Sequence, residues 1–239
     1  MIEIIPAIDL IGGKCVRLSQ GDYDRKTVYS ENPVEVALGF ADAGIRRLHL
    51  VDLDGAKAQH IVNYEVLHDI SVKTPLVIDF GGGLKTDDDL RIAFENGASM
   101  VTGGSIAVKS PDVFLQWIER YGADKIILGA DVKNGSIAVS GWTETAAQEP
   151  VPFIEGYRAK GITQVICTDV SRDGMMQGPA TALYKELLEK FAGLYLIASG
   201  GVSSMDDIFA LHQAGIPAVI TGKAIYEGKI TLQDLAKIN

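Results

Sequence analysis

Eight short runs of apolar residues, rich in Val and Ile, punctuate the chain, and a helical pattern follows each one. The runs fall at about 2–9, 46–53, 75–81, 99–103, 125–132, 163–169, 194–200 and 217–222. The helical stretches lie at about 33–44, 62–73, 86–97, 110–121, 148–160, 180–192, 203–214 and 230–238. Within them apolar residues share faces: Val34, Ala37, Leu38 and Ala41 in one, Val113, Phe114, Trp117 and Ile118 in another. Strands that are apolar along their whole length are buried on both sides, as in a parallel sheet covered by helices. Eight such units in 239 residues favour a closed (β/α)8 TIM barrel over an open sheet. N-caps are expected at Thr86, Ser110 and Ser203, each followed by acidic residues, and Gly44, Gly97, Gly122, Gly161 and Gly215 stand where helices end. No Pro/Ser-rich linker or low-complexity segment divides the chain, so residues 1–239 are expected to form one α/β barrel domain.

The chain also repeats itself. "GGG" at 81–83 is matched by "SGG" at 199–201, "VTGGSIAVKS" from 101 by "ITGKAIYEGK" from 220, and "LVDLDG" from 50 by "CTDVSRDG" from 167. These pairs lie about 120 residues apart, as do Asp9 and Asp131. The spacing implies two homologous (β/α)4 half-barrels, about 1–120 and 121–239.

The repeat directs attention to two acids. "IIPAIDLIGG" and "IILGADVKNG" each run apolar residues into a carboxylate, Asp9 or Asp131, with glycine just beyond. In barrels of this kind the active site is built at the C-terminal ends of the strands. One such aspartate is readily explained as a loop cap. Two at repeat-related strand ends, on opposite sides of a barrel mouth, suit proton transfer with one acid and one base. The loops after both strands, 10–32 and 133–147, are long and alternate apolar residues (Val16 and Leu18; Ile137 and Val139), so each is expected to form a small hairpin lid. Arg17 and Trp142 sit on these lids. Arg17 is either a ligand contact or a solvated charge, and Trp142 either a ligand contact or an apolar plug. Lids that only close over substrate predict a melting temperature unaffected by alanine at either position.

Glycines follow several strands: Gly81–Gly83, Gly103 and Gly104, Gly200 and Gly201, and Gly222. Glycine lets backbone N–H groups approach an anion closely. Repeat-related clusters after strands 3 and 4 and after strands 7 and 8 imply two phosphate sites, formed by Gly82, Gly83, Lys85, Gly103, Gly104 and Ser105 and by Gly200, Gly201, Gly222 and Lys223. Gly174, in the loop after strand 6, is grouped with them. The alternative is that these glycines only make tight turns. Thr168, at the end of strand 6, can donate to a substrate oxygen. Asp173 begins an Asp-Gly turn, and His49 reads first as a satisfied strand residue.

The remaining composition excludes more than it assigns. The balance of 22 basic against 31 acidic residues, −9 overall, argues against nucleic acid or an anionic membrane as partner. No apolar run approaches the ~20 residues of a membrane span, and the first residues carry no signal-peptide pattern. Cys15 and Cys167 show no CxxC spacing, so they are expected as reduced thiols in the cytoplasm, with no metal site.

The stretches "IPAIDLIGGKCVRLSQGDY", "LHLVDLDGA", "GGGLKT", "DVKNGSIAVSGW", "TDVSRDGMMQGP", "ASGGVSS" and "GKAIYEGK" together resemble the phosphoribosylformimino-aminoimidazole-carboxamide ribotide (ProFAR) isomerases of histidine biosynthesis, over residues 5 to 229. That resemblance implies a (β/α)8 barrel that performs a cofactor-free Amadori rearrangement on a small bis-phosphorylated substrate. It implies Asp9 and Asp131 as the catalytic pair, with Thr168, and substrate contacts from Arg17, His49, Trp142 and Asp173. No obligatory protein partner is expected. Lys85, Ala180 and Phe80 depart from the family pattern, and Lys85 replaces a bidentate arginine. The alternatives are the related ammonia-using cyclase of the same pathway, imidazole-glycerol-phosphate synthase, and a noncatalytic sugar-phosphate-binding barrel.

Overall fold

A computed structural model describes residues 1–19 and 21–237. Along the chain run β1 (Glu3–Ile11), β2 (Lys14–Ser19), β3 (Asp22–Ser30), α1 (Pro33–Asp42), β4 (Arg47–Asp52), α2 (Leu53–Ala58), α3 (Tyr64–Lys73), β5 (Val77–Gly81), α4 (Asp87–Glu95), β6 (Met100–Gly103), α5 (Ser105–Lys109) and α6 (Pro111–Tyr121). They are followed by β7 (Ile126–Gly129), β8 (Val132–Lys133), β9 (Ser136–Val139), β10 (Glu144–Thr145), α7 (Pro150–Arg158), β11 (Gln164–Thr168), α8 (Thr181–Lys190), β12 (Tyr195–Ser199), α9 (Met205–Gln213), β13 (Ala218–Thr221), α10 (Lys223–Tyr226) and α11 (Leu232–Ala236). Eight parallel strands follow in the order β1, β4, β5, β6, β7, β11, β12, β13, and β13 pairs back to β1. That is the strand order of a (β/α)8 TIM barrel. The hairpin β2–β3 extends the sheet beyond β1, and β8, β9 and β10 form a separate three-stranded sheet.

All eight apolar runs are strands and all eight helical stretches are helices. The last helix ends at Ala236, and residue 238 lies outside the described residues. Thr86 forms a full capping box with Asp89. Two other caps differ from expectation. Ser204, not Ser203, accepts from the Asp207 N–H, while Ser203 donates its hydroxyl to the Asp207 carboxylate at 2.6 Å. Ser110 makes no side-chain cap, because it ends α5 and starts α6 at once.

The chain divides into two compact units. One comprises Ile4–Thr102 with Thr221–Asn239, the other Met1–Glu3 with Gly103–Ile220. In the first, Ile5, Ile8, Leu10, Leu48, Leu50, Ile78 and the unusual Phe80 are fully buried on the strands, as are Leu67, Ile70 and Leu90 on α3 and α4. In the second, Ile126, Ile127, Leu128, Leu196 and Ile197 are buried on the strands, with Phe114, Trp117, Ile154 and Tyr184 on the helices. Phe114 meets Tyr157 edge-on at 5.1 Å, and the Tyr157 hydroxyl donates to the Ala107 carbonyl at 2.6 Å. Each of these large side chains contributes about 1.5–3 kcal/mol by leaving water. No helix among the described residues is long and apolar enough to cross a membrane.

Candidate active site

Asp9 lies two residues inside the end of β1 rather than at its tip. The strand continues to Ile11 and turns back into β2 through Gly12 and Gly13, whose φ values of 58° and 71° are those of a tight hairpin turn matched to strand twist. Asp9 stands opposite Val16 on β2 and Val51 on β4. Its Oδ2 accepts from Arg17 Nη1 at 2.9 Å, and both side chains are only 13% exposed. Arg17 is therefore neither a solvated charge nor an arm on a slack loop. The hairpin that carries it is fastened where Tyr29 stacks on Tyr226 at 4.9 Å and donates to Glu227, while Tyr226 donates to the Ala7 carbonyl at 3.1 Å. Burial and the Asp9 charge push the thiol of the neighbouring Cys15 up to about 12, so it stays protonated.

His49, on β4, stands opposite Ala7 of β1 and Asp79 of β5. Its Nδ1 bonds to the Asp79 carboxylate, which also accepts from Arg47 Nε at 3.2 Å. His49 is thus a satisfied strand residue, as its position suggested, but the group that satisfies it is ionised. Asp79 and Arg47 are the polar residues that sequence reasoning passed over. The signal was available: a charged side chain inside an apolar run has to be paired.

In the other unit, Asp131 lies two residues beyond β7, and its Oδ2 accepts from Trp142 Nε1 at 2.7 Å. Trp142 is a hydrogen-bond donor at this carboxylate, not a core plug. It is brought there by three successive left-handed residues, Ser140, Gly141 and Trp142, with φ of 57°, 62° and 71°. Such backbone is uncommon for a side chain as large as tryptophan. The segment is pinned by Ser140 N–H donating to Ser105 Oγ at 2.9 Å and by Lys133 Nζ donating to the Trp142 carbonyl at 2.9 Å. Thr168 ends β11, buried, opposite Ser199. Asp173 and Gly174 lie in the turn that follows, where the Asp173 N–H donates to the Asp169 carbonyl at 3.1 Å and Gly174 is left-handed. Both cysteines are free and buried, and burial raises the Cys167 thiol well above its ordinary value.

The glycines fall into two groups. Gly82, Gly83, Gly200 and Gly201 are left-handed, and a Cβ on any of them would collide with backbone. At Gly82 it would sit 2.2 Å from the Asp52 carbonyl, and at Gly201 2.3 Å from that of Gly178. Gly103 is likewise closed off, by the Phe114 ring at 2.5 Å. These five are demanded by packing. Gly104 and Gly222 are not left-handed: their φ values are −105° and −131°. A Cβ on Gly104 would meet nothing closer than 3.6 Å, and one on Gly222 only the Arg17 guanidinium, at 3.0 Å. Beside Gly222 the Thr221 hydroxyl is buried with no hydrogen-bond partner among the described residues. Lys85 uses its backbone N–H to bond Asp89, at 3.0 Å, in the start of α4, and Lys223 opens α10.

The fold defines the class, a (β/α)8 barrel, and near the ends of two of its strands this one has carboxylates that accept hydrogen bonds from side chains of the segments that follow. Residues 3–231 match the family described as histidine biosynthesis protein, and the chain belongs to that family. Its relatives include proteins of Bacteroides thetaiotaomicron, 66% identical over 235 residues and 98% of each chain, and of Parabacteroides distasonis, 65% identical over 237 residues and 99% of each. A protein of Flavobacterium johnsoniae is 59% identical over 98% of each chain. All three bear the name 1-(5-phosphoribosyl)-5-((5-phosphoribosylamino)methylideneamino) imidazole-4-carboxamide isomerase.

Proposed function

We propose that the chain isomerises the aminoaldose ProFAR to the aminoketose PRFAR in histidine biosynthesis, using two aspartates and no cofactor. The observation that carries this reading is identity of about two-thirds, over nearly the whole length, to relatives named as that isomerase. The substrate in that name carries two phosphoribosyl groups. Two phosphate sites are supported by Gly104 with Ser105 and by Gly222 with Lys223. Neither glycine is left-handed, and with no side chain each lets an anion approach the N–H groups closely.

The rearrangement opens the furanose ring by protonation of its ring oxygen, then removes the proton from C2′. The resulting enaminol becomes the ketose as C1′ gains a proton and the C2′ hydroxyl loses one. Asp9 is the base at C2′: its ion pair with Arg17 is made by the ionised carboxylate, the form a base needs. Asp131 is the acid at the ring oxygen. Its Oδ2 accepts from the Trp142 N–H, which fixes the orientation of the carboxyl group. Thr168 orients the sugar, and Arg17, Trp142 and Asp173 contact the substrate. The test is incubation of the purified protein with ProFAR, following the absorbance change with and without ammonia. Turnover independent of ammonia is expected. An absolute need for ammonia would indicate the cyclase, and binding without turnover a noncatalytic barrel.

A further inference from the structure

Polar groups inside a strand pair are costly unless they satisfy one another. β4 and β5 carry three: Arg47, and two residues further along the opposed His49 and Asp79. Asp79 is wholly buried and accepts from Arg47 Nε at 3.2 Å, from Thr102 Oγ1 at 3.4 Å and from His49 Nδ1. Arg47 is 6% exposed and His49 14%. Asp79 therefore cannot touch a ligand, and of the three His49 presents the most surface. Because Nδ1 is engaged, Nε2 is the nitrogen the ring has to offer. A carboxylate on one imidazole nitrogen fixes which tautomer the other presents.

We propose that Asp79 is a positioning residue for the isomerisation, holding His49 so that its Nε2–H is a charged donor to an oxygen of the substrate beside Asp9. This rests on the isomerase reading above. The charged groups that act on the ring are Asp79 from β5, which bonds it, Asp9 from β1 and Arg47 from its own strand, with Arg17 already bonded to Asp9. Burial works against a charged imidazole, but the Asp79 carboxylate, helped by Asp9, outweighs it and the opposing Arg47, so the His49 pKa is raised. Burial likewise opposes a charged Asp79, and His49 with Arg47 outweighs it, so the Asp79 pKa is lowered. Both shifts favour the charged forms of the pair, and Arg47 also bonds the aspartate.

The test is an NMR titration of 15N-histidine-labelled full-length protein, with His49→Gln used only to assign the signal. In the unsubstituted protein His49 is expected to titrate above the ordinary ~6.5 and to keep its proton on Nδ1 after deprotonation. In Asp79→Asn the midpoint falls. The alkaline decline of kcat/KM for ProFAR moves to lower pH with it, a loss of about tenfold at high pH for each unit of fall. A His49 midpoint at or below 6.5 in the unsubstituted protein overturns the proposal even if Asp79→Asn does not fold. So does an Asp79→Asn variant that melts earlier while His49 midpoint and pH profile stay in place. Failure of the isomerase reading is separate: the unsubstituted protein would then turn over no ProFAR, whatever His49 does.

Discussion

Replacing Arg17 by Met keeps the aliphatic stem beside Gly222 and removes the charge that faces Asp9. Removing one partner of a buried ion pair costs about 3–5 kcal/mol, mostly because the other charge is stranded. Here each side chain retains 13% exposure. Water can partly solvate the orphaned carboxylate, which places the expected cost at the lower end, about 3 kcal/mol. In a chain of this length, at ~2–4 °C per kcal/mol, that lowers Tm by about 6–12 °C. This revises the expectation that a lid residue can be removed without loss of stability. The assay is urea denaturation of the parent, Arg17→Met, Asp9→Asn and the double variant. Once Asp9 is uncharged, losing Arg17 no longer strands that carboxylate, so the double variant should be more stable than additivity implies, by about 1.5–3 kcal/mol. A coupling below about 0.5 kcal/mol, with Arg17→Met near parental stability, would refute the reasoning and return Arg17 to a solvated arm.

Trp142→Phe keeps an aromatic ring but loses the N–H that Asp131 accepts. Stability should change by no more than about 1 kcal/mol while turnover falls about tenfold or more, and unchanged turnover would remove Trp142 from the chemistry. Gly82→Ala forces a side chain into left-handed backbone and onto the Asp52 carbonyl. It should cost at least about 2 kcal/mol in a denaturation curve. Gly104→Ala should leave that curve in place and weaken binding of ProFAR, and the reverse pattern would put the phosphate site elsewhere. The His49–Asp79 pair gives stability a pH signature. Asp79, its pKa lowered, contributes above its unfolded value and loses the contribution as pH falls. His49, its pKa raised, contributes below its unfolded value and loses it as pH rises through the folded one. The stability difference between the parent and His49→Gln should therefore be greatest between about pH 4 and 6.5, as followed by urea melts across that range.

The barrel was legible because burial on both faces writes itself as unbroken apolar runs, and their spacing left room for one helix each. The short helices α2, α5 and α10 were not, because four to six residues are too few to display a helical period. Asp9 and Asp131 stood out by repetition, and Arg17 and Trp142 by their place on long loops. Their hydrogen bonds to the two carboxylates did not, since a donor's reach depends on how a hairpin folds back and, for Trp142, on three left-handed residues. The His49–Asp79 contact was hidden for a related reason. It depends on the parallel register between β4 and β5, which no local pattern encodes. Glycine type alone could not separate Gly82, demanded by its neighbours, from Gly104, where a Cβ would meet nothing closer than 3.6 Å.

The division of labour between the two aspartates is tested most directly with ProFAR deuterated at C2′. Asp9→Asn and Asp131→Asn should each lower turnover by at least about 10²-fold while substrate still binds. Given the ring-opened sugar, Asp131→Asn should still release deuterium to solvent, and Asp9→Asn should release none. Near-normal turnover or label release in Asp9→Asn would make that carboxylate a loop cap held by Arg17 and contradict the mechanism at the C2′ proton.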